Sequence, residues 1–167
     1  MPFIGVISKK NDFNYIKNNI NKNINGFELL NLNINNIENY KNIKFEIIVI
    51  HEDIKELINK SNHILNIINN SKYILVNLDE YEIKKDNFEK NNLITYGFNS
   101  NSKITVSSIN EEIILFCIQE KLYGNKEIVI EEQEIKLLVK KYNTKKIYNI
   151  MVILIILKIY GKNLKKI

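Results

Sequence analysis

Four short, continuous apolar runs in the first half of the chain alternate with segments whose apolar residues recur at helical spacing. A continuous apolar run is typical of a strand that is buried on both faces of a sheet. Strands that alternate with helices are joined by crossover connections, which make neighbouring strands parallel. The pattern therefore predicts an α/β fold with a mostly parallel sheet flanked by helices. The predicted strands are Phe3–Ser8, Phe27–Leu32, Phe45–Ile50 and Tyr73–Val76.

The segments between these strands carry helix signals. Asp12 precedes an apolar stripe that ends at Ile24, and a short helical turn is expected at Ile37–Asn42. Asp53 and Glu56 have the spacing of a capping box, with Asp in place of the usual Ser or Thr. They predict one helix, whose apolar face is formed by Ile54, Leu57, Ile58, Leu65 and Ile68.

The rhythm changes after Asn92, where strand-like runs follow one another with only polar turns between them. This arrangement predicts an antiparallel meander. Asn143 or Thr144 can cap a last helix that ends at Gly161 and is apolar almost all round, so we expect it to be buried against the sheet or in a homodimer. The meander strands are Leu93–Tyr96, Ile104–Val106, Ile113–Gln119 and Glu127–Val139. The whole pattern predicts a Rossmann-like single domain, 1–161, followed by a basic, frayed tail, 162–167.

The composition limits what the charge can mean. Ile, Asn and Lys make up more than half of the chain and Arg is absent, which indicates an A/T-rich genome. Lys has therefore taken every cationic position, so the net charge of +5 is a weak sign of nucleic-acid binding, which relies heavily on Arg. The single Cys117 fits a reducing compartment, no signal peptide is visible, and Ile150–Leu157 is too short to span a bilayer. We expect a cytoplasmic protein.

Three motifs occur in an order that resembles a known family. A buried strand ends in Asn77-Leu78-Asp79-Glu80, a second ends in Thr95-Tyr96-Gly97, and Asn149 lies in the last helix. In this order they resemble the central, ATP-binding domain of the Mur ligases, the ATP-dependent enzymes that build cell-wall peptide stems. There the strands end in Asn-x-Asp-Asp and Thr-Tyr-Gly-like sequences, and the helix opens with His-Asn-x-x-Asn. The resemblance covers roughly 70–160 and extends weakly to the first strand.

The chain departs from the family where the family performs chemistry. The resemblance implies a glycine-rich phosphate loop after the first strand, but the chain continues Ser8-Lys9-Lys10-Asn11. Lys145 and Lys146 replace the His and Asn of the helix motif, and we expect no counterpart of the family's C-terminal domain. We therefore expect a degenerate, stand-alone relative without catalytic residues, and ATP is not expected as a cofactor.

The ligand-binding candidates are Asn77, Asp79 and Asn149. Asn77 and Asp79 follow a parallel strand, and open α/β sheets bind ligands at the carboxyl ends of their strands. The alternative for both is that they satisfy backbone groups in the strand-to-loop turn. Asn149 is either a remnant nucleotide contact or an exposed polar residue in the first turns of the last helix.

No other cluster predicts chemistry. His51 and His63 lack a ligand set for a metal and are expected at the surface or in caps. Cys117 lies among apolar residues and is expected to be a small core side chain. Solvated strand edges are the simpler explanation for Glu111-Glu112 and Glu131-Glu132-Glu134.

Three functions follow as hypotheses. The leading one is a non-catalytic Mur-ligase-like domain of the bacterial cytoplasm that binds a partner protein or a small metabolite, in connection with cell-wall metabolism. The second is an enzyme that acts on another substrate through Asn77 and Asp79. The third is a basic module that associates with membranes or nucleic acids through its lysines, namely Lys140, Lys141, Lys145, Lys146 and the tail.

Overall fold

A computed structural model describes residues 1–61, 63–82, 88, 92–164 and 167. The strands are β1 (Phe3–Ile7), β2 (Glu28–Asn31), β3 (Phe45–Ile50), β4 (Tyr73–Asn77), β5 (Leu93–Tyr96), β6 (Ile104–Asn110), β7 (Ile113–Ile118), β8 (Leu122–Tyr123), β9 (Val129–Ile130) and β10 (Gln133–Leu138). The helices are α1 (Lys10–Asn23), α2 (Lys55–Lys60), α3 (His63–Asn69) and α4 (Thr144–Ile159), with 3₁₀ turns at Ile37–Tyr40 and Asn125–Glu127.

The main sheet has the order β10-β7-β6-β5-β4-β3-β1-β2. Its strands are parallel from β2 to β6, whereas β7 and β10 continue the sheet in antiparallel pairs. The predicted α/β class is confirmed, with a mostly parallel sheet, an antiparallel section and a C-terminal helix.

Two apolar layers cover the sheet because successive strand residues face opposite sides. In β1, Ile4 and Val6 pack on the side of α1 and α4, whereas Ile7 packs on the side of α2 and α3. Helix α4 is buried almost all round, as predicted, and Asn143 caps it by accepting a hydrogen bond from the Lys146 N–H at 2.8 Å. The sheet and α1 cover α4 within one chain, so its burial does not require a second copy.

The structure corrects the predicted elements at three places. Leu93–Tyr96 belongs to the parallel part of the sheet, because it is bonded to β4 in register from Ile74↔Leu93. The single helix expected after Asp53 is two helices, which are separated at Ser61, whose hydroxyl accepts a hydrogen bond from the His63 N–H at 3.2 Å. The run Glu127–Val139 divides into β9 and β10, and β9 pairs with β8 in a separate hairpin.

Further differences concern the helix ends, the thiol and the tail. Helix α1 begins after Lys9, so Asp12 lies in its first turn. Cys117 is only half-buried, because it faces the side of β7 opposite α4. In the tail, Leu164 and Ile167 pack against the core, and 165–166 lie outside the described residues. No helix in the described part of the chain has the length and apolar character to cross a bilayer.

Candidate functional site

A cleft of about 290 Å³ opens at the carboxyl ends of the parallel strands. The ends of β1, β3 and β4 meet the first turns of α1 and α4 there, so residues distant in sequence come together. This is the place where open α/β sheets usually bind ligands. The lining residues are Lys9, Asp12, His51, Glu52, Asp53, Glu80, Lys145 and Tyr148.

His51 forms the buried floor of the cleft. Its side chain is 4% exposed, and its Nδ1 lies 2.6 Å from the Tyr96 hydroxyl. Burial lowers the pKa of His51 to about 4, although nearby Asp12 and contact with the Asn149 side chain act in the opposite direction. Burial also raises the pKa of Tyr96 well above its usual value, so both groups are neutral at neutral pH. His51 therefore contributes no positive charge to the cleft.

The expectation that His51 lies at the surface or in a cap was wrong. The residue directly follows the buried strand β3, and its N–H still bonds to the Ile7 carbonyl at 3.1 Å. A sequence signal existed, because the apolar run Phe45–Ile50 continues without a turn residue into position 51. By contrast, His63 is exposed as expected, and its Nε2 lies 3.7 Å from Glu38.

Asn149 joins the two helices beside the cleft. Its Nδ2 donates a hydrogen bond to Asp12 Oδ1 at 2.8 Å, although 137 positions separate the two residues. Asn149 is 4% exposed, so the idea that it is an exposed polar residue was wrong; α4 is buried from its first turns onward. Asn149 thus lies behind the lining residues Asp12 and His51.

Asp79 organises the turn after β5. Its carboxylate accepts hydrogen bonds from the N–H groups of Phe98 and Asn99 and from the Tyr148 hydroxyl at 2.9 Å. The buried Asn77 side chain accepts a bond from the Asp79 N–H at 3.1 Å. These are the turn-forming bonds of the alternative interpretation, and ligand binding by the two residues stays a prediction.

Gly97 allows the close approach of this carboxylate. Its φ is +145°, and a Cβ added there would lie 2.7 Å from Asp79 Oδ2. Burial, followed by the bond to Asp79, raises the pKa of Tyr148, which therefore stays a phenol and a donor. The glycine of the Tyr-Gly motif thus has a geometric reason, because a side chain at position 97 would meet the Asp79 carboxylate.

The charge of the cleft is opposite to that of the chain. Four carboxylates against two ammonium groups give the lining a formal charge of −2, whereas the chain carries +5. The acidic residues are Asp12, Glu52, Asp53 and Glu80, and the basic ones are Lys9 and Lys145. Sequence reasoning missed all four carboxylates as cleft residues, although each follows a strand or begins a helix.

Glu52 holds a position of particular interest. Its Oε1 accepts a hydrogen bond at 3.2 Å from the N–H of Lys9, the residue that precedes α1. In phosphate-binding folds, N–H groups between the first strand and the first helix point at the anion. Here the carboxylate of Glu52, a group of the protein itself, accepts the hydrogen bond of such an N–H. Among the described residues, no three His, Cys, Asp or Glu side chains are grouped to hold a metal ion.

The fold defines the class of the protein, an α/β domain with a Mur-ligase-like fold. A solved structure that shares it is MurF from Acinetobacter baumannii, with a TM-score of 0.64 and 8% sequence identity. The match covers 98% of this chain and 44% of the MurF chain, so this chain spans less than half the length of MurF. No protein-family profile and no curated protein matches the sequence. The likeness is one of fold.

Proposed function

We propose that this chain is a non-catalytic, Mur-ligase-like domain that lacks the phosphate loop and binds a small cationic metabolite in the cleft. In this proposal the protein acts in the bacterial cytoplasm, in connection with cell-wall metabolism, and ATP is not a cofactor. The observation that carries the proposal is the placement of Glu52 on the Lys9 N–H, within a lining that has an excess of carboxylates. A polyphosphate would meet repulsion there, whereas an amine would find partners.

Asp79 supports binding over catalysis. Both of its oxygens accept hydrogen bonds that hold the turn after β5, so little of the carboxylate is left for proton transfer. A cation entering the cleft meets the neighbouring Glu80 instead. The enzyme hypothesis requires Asp79→Ala to abolish an activity without loss of stability, whereas the binding proposal expects mainly a loss of stability.

The cluster of lysines near α4 is partly committed to the fold. Lys146 Nζ donates hydrogen bonds to the carbonyls of Lys140 and Lys141, at 2.7 and 3.0 Å. Lys145 lines the acidic cleft. These contacts favour ligand binding in the cleft over the hypothesis of a basic surface that associates with membranes or nucleic acids. Retention of the protein on anionic vesicles or DNA at low salt would favour the basic-surface hypothesis.

Isothermal titration calorimetry tests the proposal with spermidine, inorganic phosphate and magnesium ATP as probes. We expect spermidine to bind and the two anions not to bind. Glu52→Gln and Glu80→Gln should each weaken spermidine binding about two- to fivefold, the usual size of an exposed charge pair. Glu134→Gln on β10 is the matched control, because it removes a carboxylate far from the cleft. Tight binding and turnover of magnesium ATP would contradict the proposal.

A further inference from the structure

A second cavity, of about 750 Å³, lies at the opposite end of the strands from the cleft, where β4 begins. The β8–β9 hairpin and the turn that joins its strands form one wall, and Lys72 and Tyr73 form the other. Its volume is in the range of small-molecule sites, roughly 300–1,000 Å³. The cavity shares no lining residue with the carboxyl-end cleft.

The hairpin exposes an apolar pair to this cavity. Leu122 and Ile130 face each other on the buried side, and Tyr123 and Val129 face each other on the other side. Tyr123 is 62% exposed and Val129 is 47% exposed, and both line the cavity. The solvent face of a hairpin is normally polar. A tyrosine ring beside a valine instead offers a flat apolar surface on which a planar ring can stack.

Two ammonium groups flank this surface. Lys72 Nζ donates a hydrogen bond to Asn125 Oδ1 at 2.7 Å and lies 5.4 Å from the centre of the Tyr73 ring. These contacts hold the charge in place before any ligand arrives. Lys126 also lines the cavity, and no ion pair with a carboxylate is found for either lysine in the described part of the chain. Among the described residues of the lining, Glu127 is the only carboxylate, so these residues carry a net formal charge of +1.

The turn that carries these groups is fixed. Lys126 and Glu127 both have positive φ, at 52° and 62°, a conformation that costs energy for residues other than glycine. Gly124 packs against the end of α4, where an added Cβ would lie 2.6 Å from the Ile159 carbonyl oxygen. The fold therefore imposes an unfavourable backbone that places Asn125 against Lys72 and Lys126 at the rim.

We infer that this cavity is a binding site for a small planar aromatic molecule that carries a single carboxylate. The ring stacks on Tyr123 and Val129, and the carboxylate meets Lys72 and Lys126. Glu127 disfavours a second negative charge, so a phosphate ester should bind less tightly than a single carboxylate. The site is independent of the function proposed for the cleft.

Saturation-transfer NMR on the full chain, with indole-3-acetate as the probe, tests this site. Indole-3-acetate should bind, whereas tryptamine, with the same ring but a cationic tail, and acetate, without a ring, should not. AMP supplies the phosphate arm, and binding of AMP as tight as that of indole-3-acetate would overturn the single-carboxylate assignment. The absence of indole-3-acetate binding at millimolar concentration would overturn the site itself.

Variants locate the binding. Lys72→Gln should weaken it about tenfold, the size of one charge-assisted hydrogen bond, and Tyr123→Ser should weaken it similarly. Both residues are exposed, so thermal unfolding should show that the variants fold. Lys136→Gln, at an exposed lysine of β10, is the matched control and should bind normally. Equal binding by all three variants would place the ligand elsewhere and overturn the inference.

Discussion

At the residue scale, His51 shows how burial turns a common side chain into a pH-dependent element. The imidazole is enclosed by Tyr96, Asn149 and the sheet, so it is neutral in the folded protein over most of the pH range. In the unfolded chain its pKa returns to about 6.5. As the pH falls, His51 of the unfolded chain therefore binds a proton at a higher pH than His51 of the folded protein does.

We predict that stability falls as the pH drops from about 6.5 to about 4, because the folded pKa of His51 is lowered to about 4. Above pH 6.5 His51 is neutral in both the folded and the unfolded state, so it does not lower the stability there. By about pH 4 its protonation in the unfolded state lowers the free energy of unfolding by about 3 kcal/mol. Urea unfolding at pH 7, 6 and 5 measures it. His51→Gln should be less stable at pH 7 and should lose this part of the slope.

His63→Gln is the control for that experiment, since His63 is exposed and only approaches Glu38. Its unfolding should keep the pH dependence of the unaltered chain. The same slope in all three proteins would mean that carboxylates alone cause it.

The sequence could predict the end of the strands at which this cleft lies but not the residues that line it, for physical reasons. Asn77, Asp79 and Asn149 are visible because they stand at ends of apolar runs or in a helix motif. Their partners are not visible: Tyr148 reaches Asp79 across 69 positions, and the burial of His51 depends on the packing of Tyr96 and α4. A local pattern carries no information about such distant contacts.

At the scale of elements, the strands and the last helix can be predicted from the local sequence pattern, whereas the pairing of each strand with its neighbours cannot. The apolar runs are long enough to predict four elements from the sequence alone, namely β1, β3, β4 and α4. The parallel pairing of β5 could not be predicted, because a four-residue strand fits either direction equally well. The packing that selects it includes the turn held by Asp79, which fixes where β5 ends.

We predict that Gly97→Ala destabilises the protein by about 2–3 kcal/mol, because the new methyl group meets the Asp79 carboxylate in addition to the strained φ. Gly26→Ala is the matched control: its φ is also positive, at +93°, but nothing lies within 4 Å of the added Cβ. It should cost only about 1 kcal/mol. Chemical denaturation of both variants measures the difference, and equal losses would show that the contact with Asp79 has no effect.

At the scale of the whole molecule, one hydrogen bond ties the first helix to the last. Asp12 and Asn149 meet at the wall of the cleft, and α1 and α4 pack side by side on the same face of the sheet. The bond therefore links two residues that are 137 positions apart, which is most of the length of the chain. It also places the Asp12 carboxylate where it lines the cleft.

We predict that Asp12→Ala and Asn149→Ala couple in a double-mutant cycle by about 1 kcal/mol, since each variant removes the same hydrogen bond. The free energies of unfolding of the two single variants and the double variant give the coupling. Asp12→Ala with Asn143→Ala is the control pair, because Asn143 caps α4 by bonding to the Lys146 N–H. Additive losses in the first pair would show that the two side chains do not interact in solution.

The carboxylate of Glu52 has a consequence for engineering. Because it fills the hydrogen-bonding position before α1, the protein carries its own internal competitor for any anion that approaches there. Grafting a glycine-rich phosphate loop onto Ser8–Lys10 would therefore be insufficient, since the new loop would face Glu52 instead of open solvent. A nucleotide-binding version of this fold needs both changes together, the loop and the removal of that side chain.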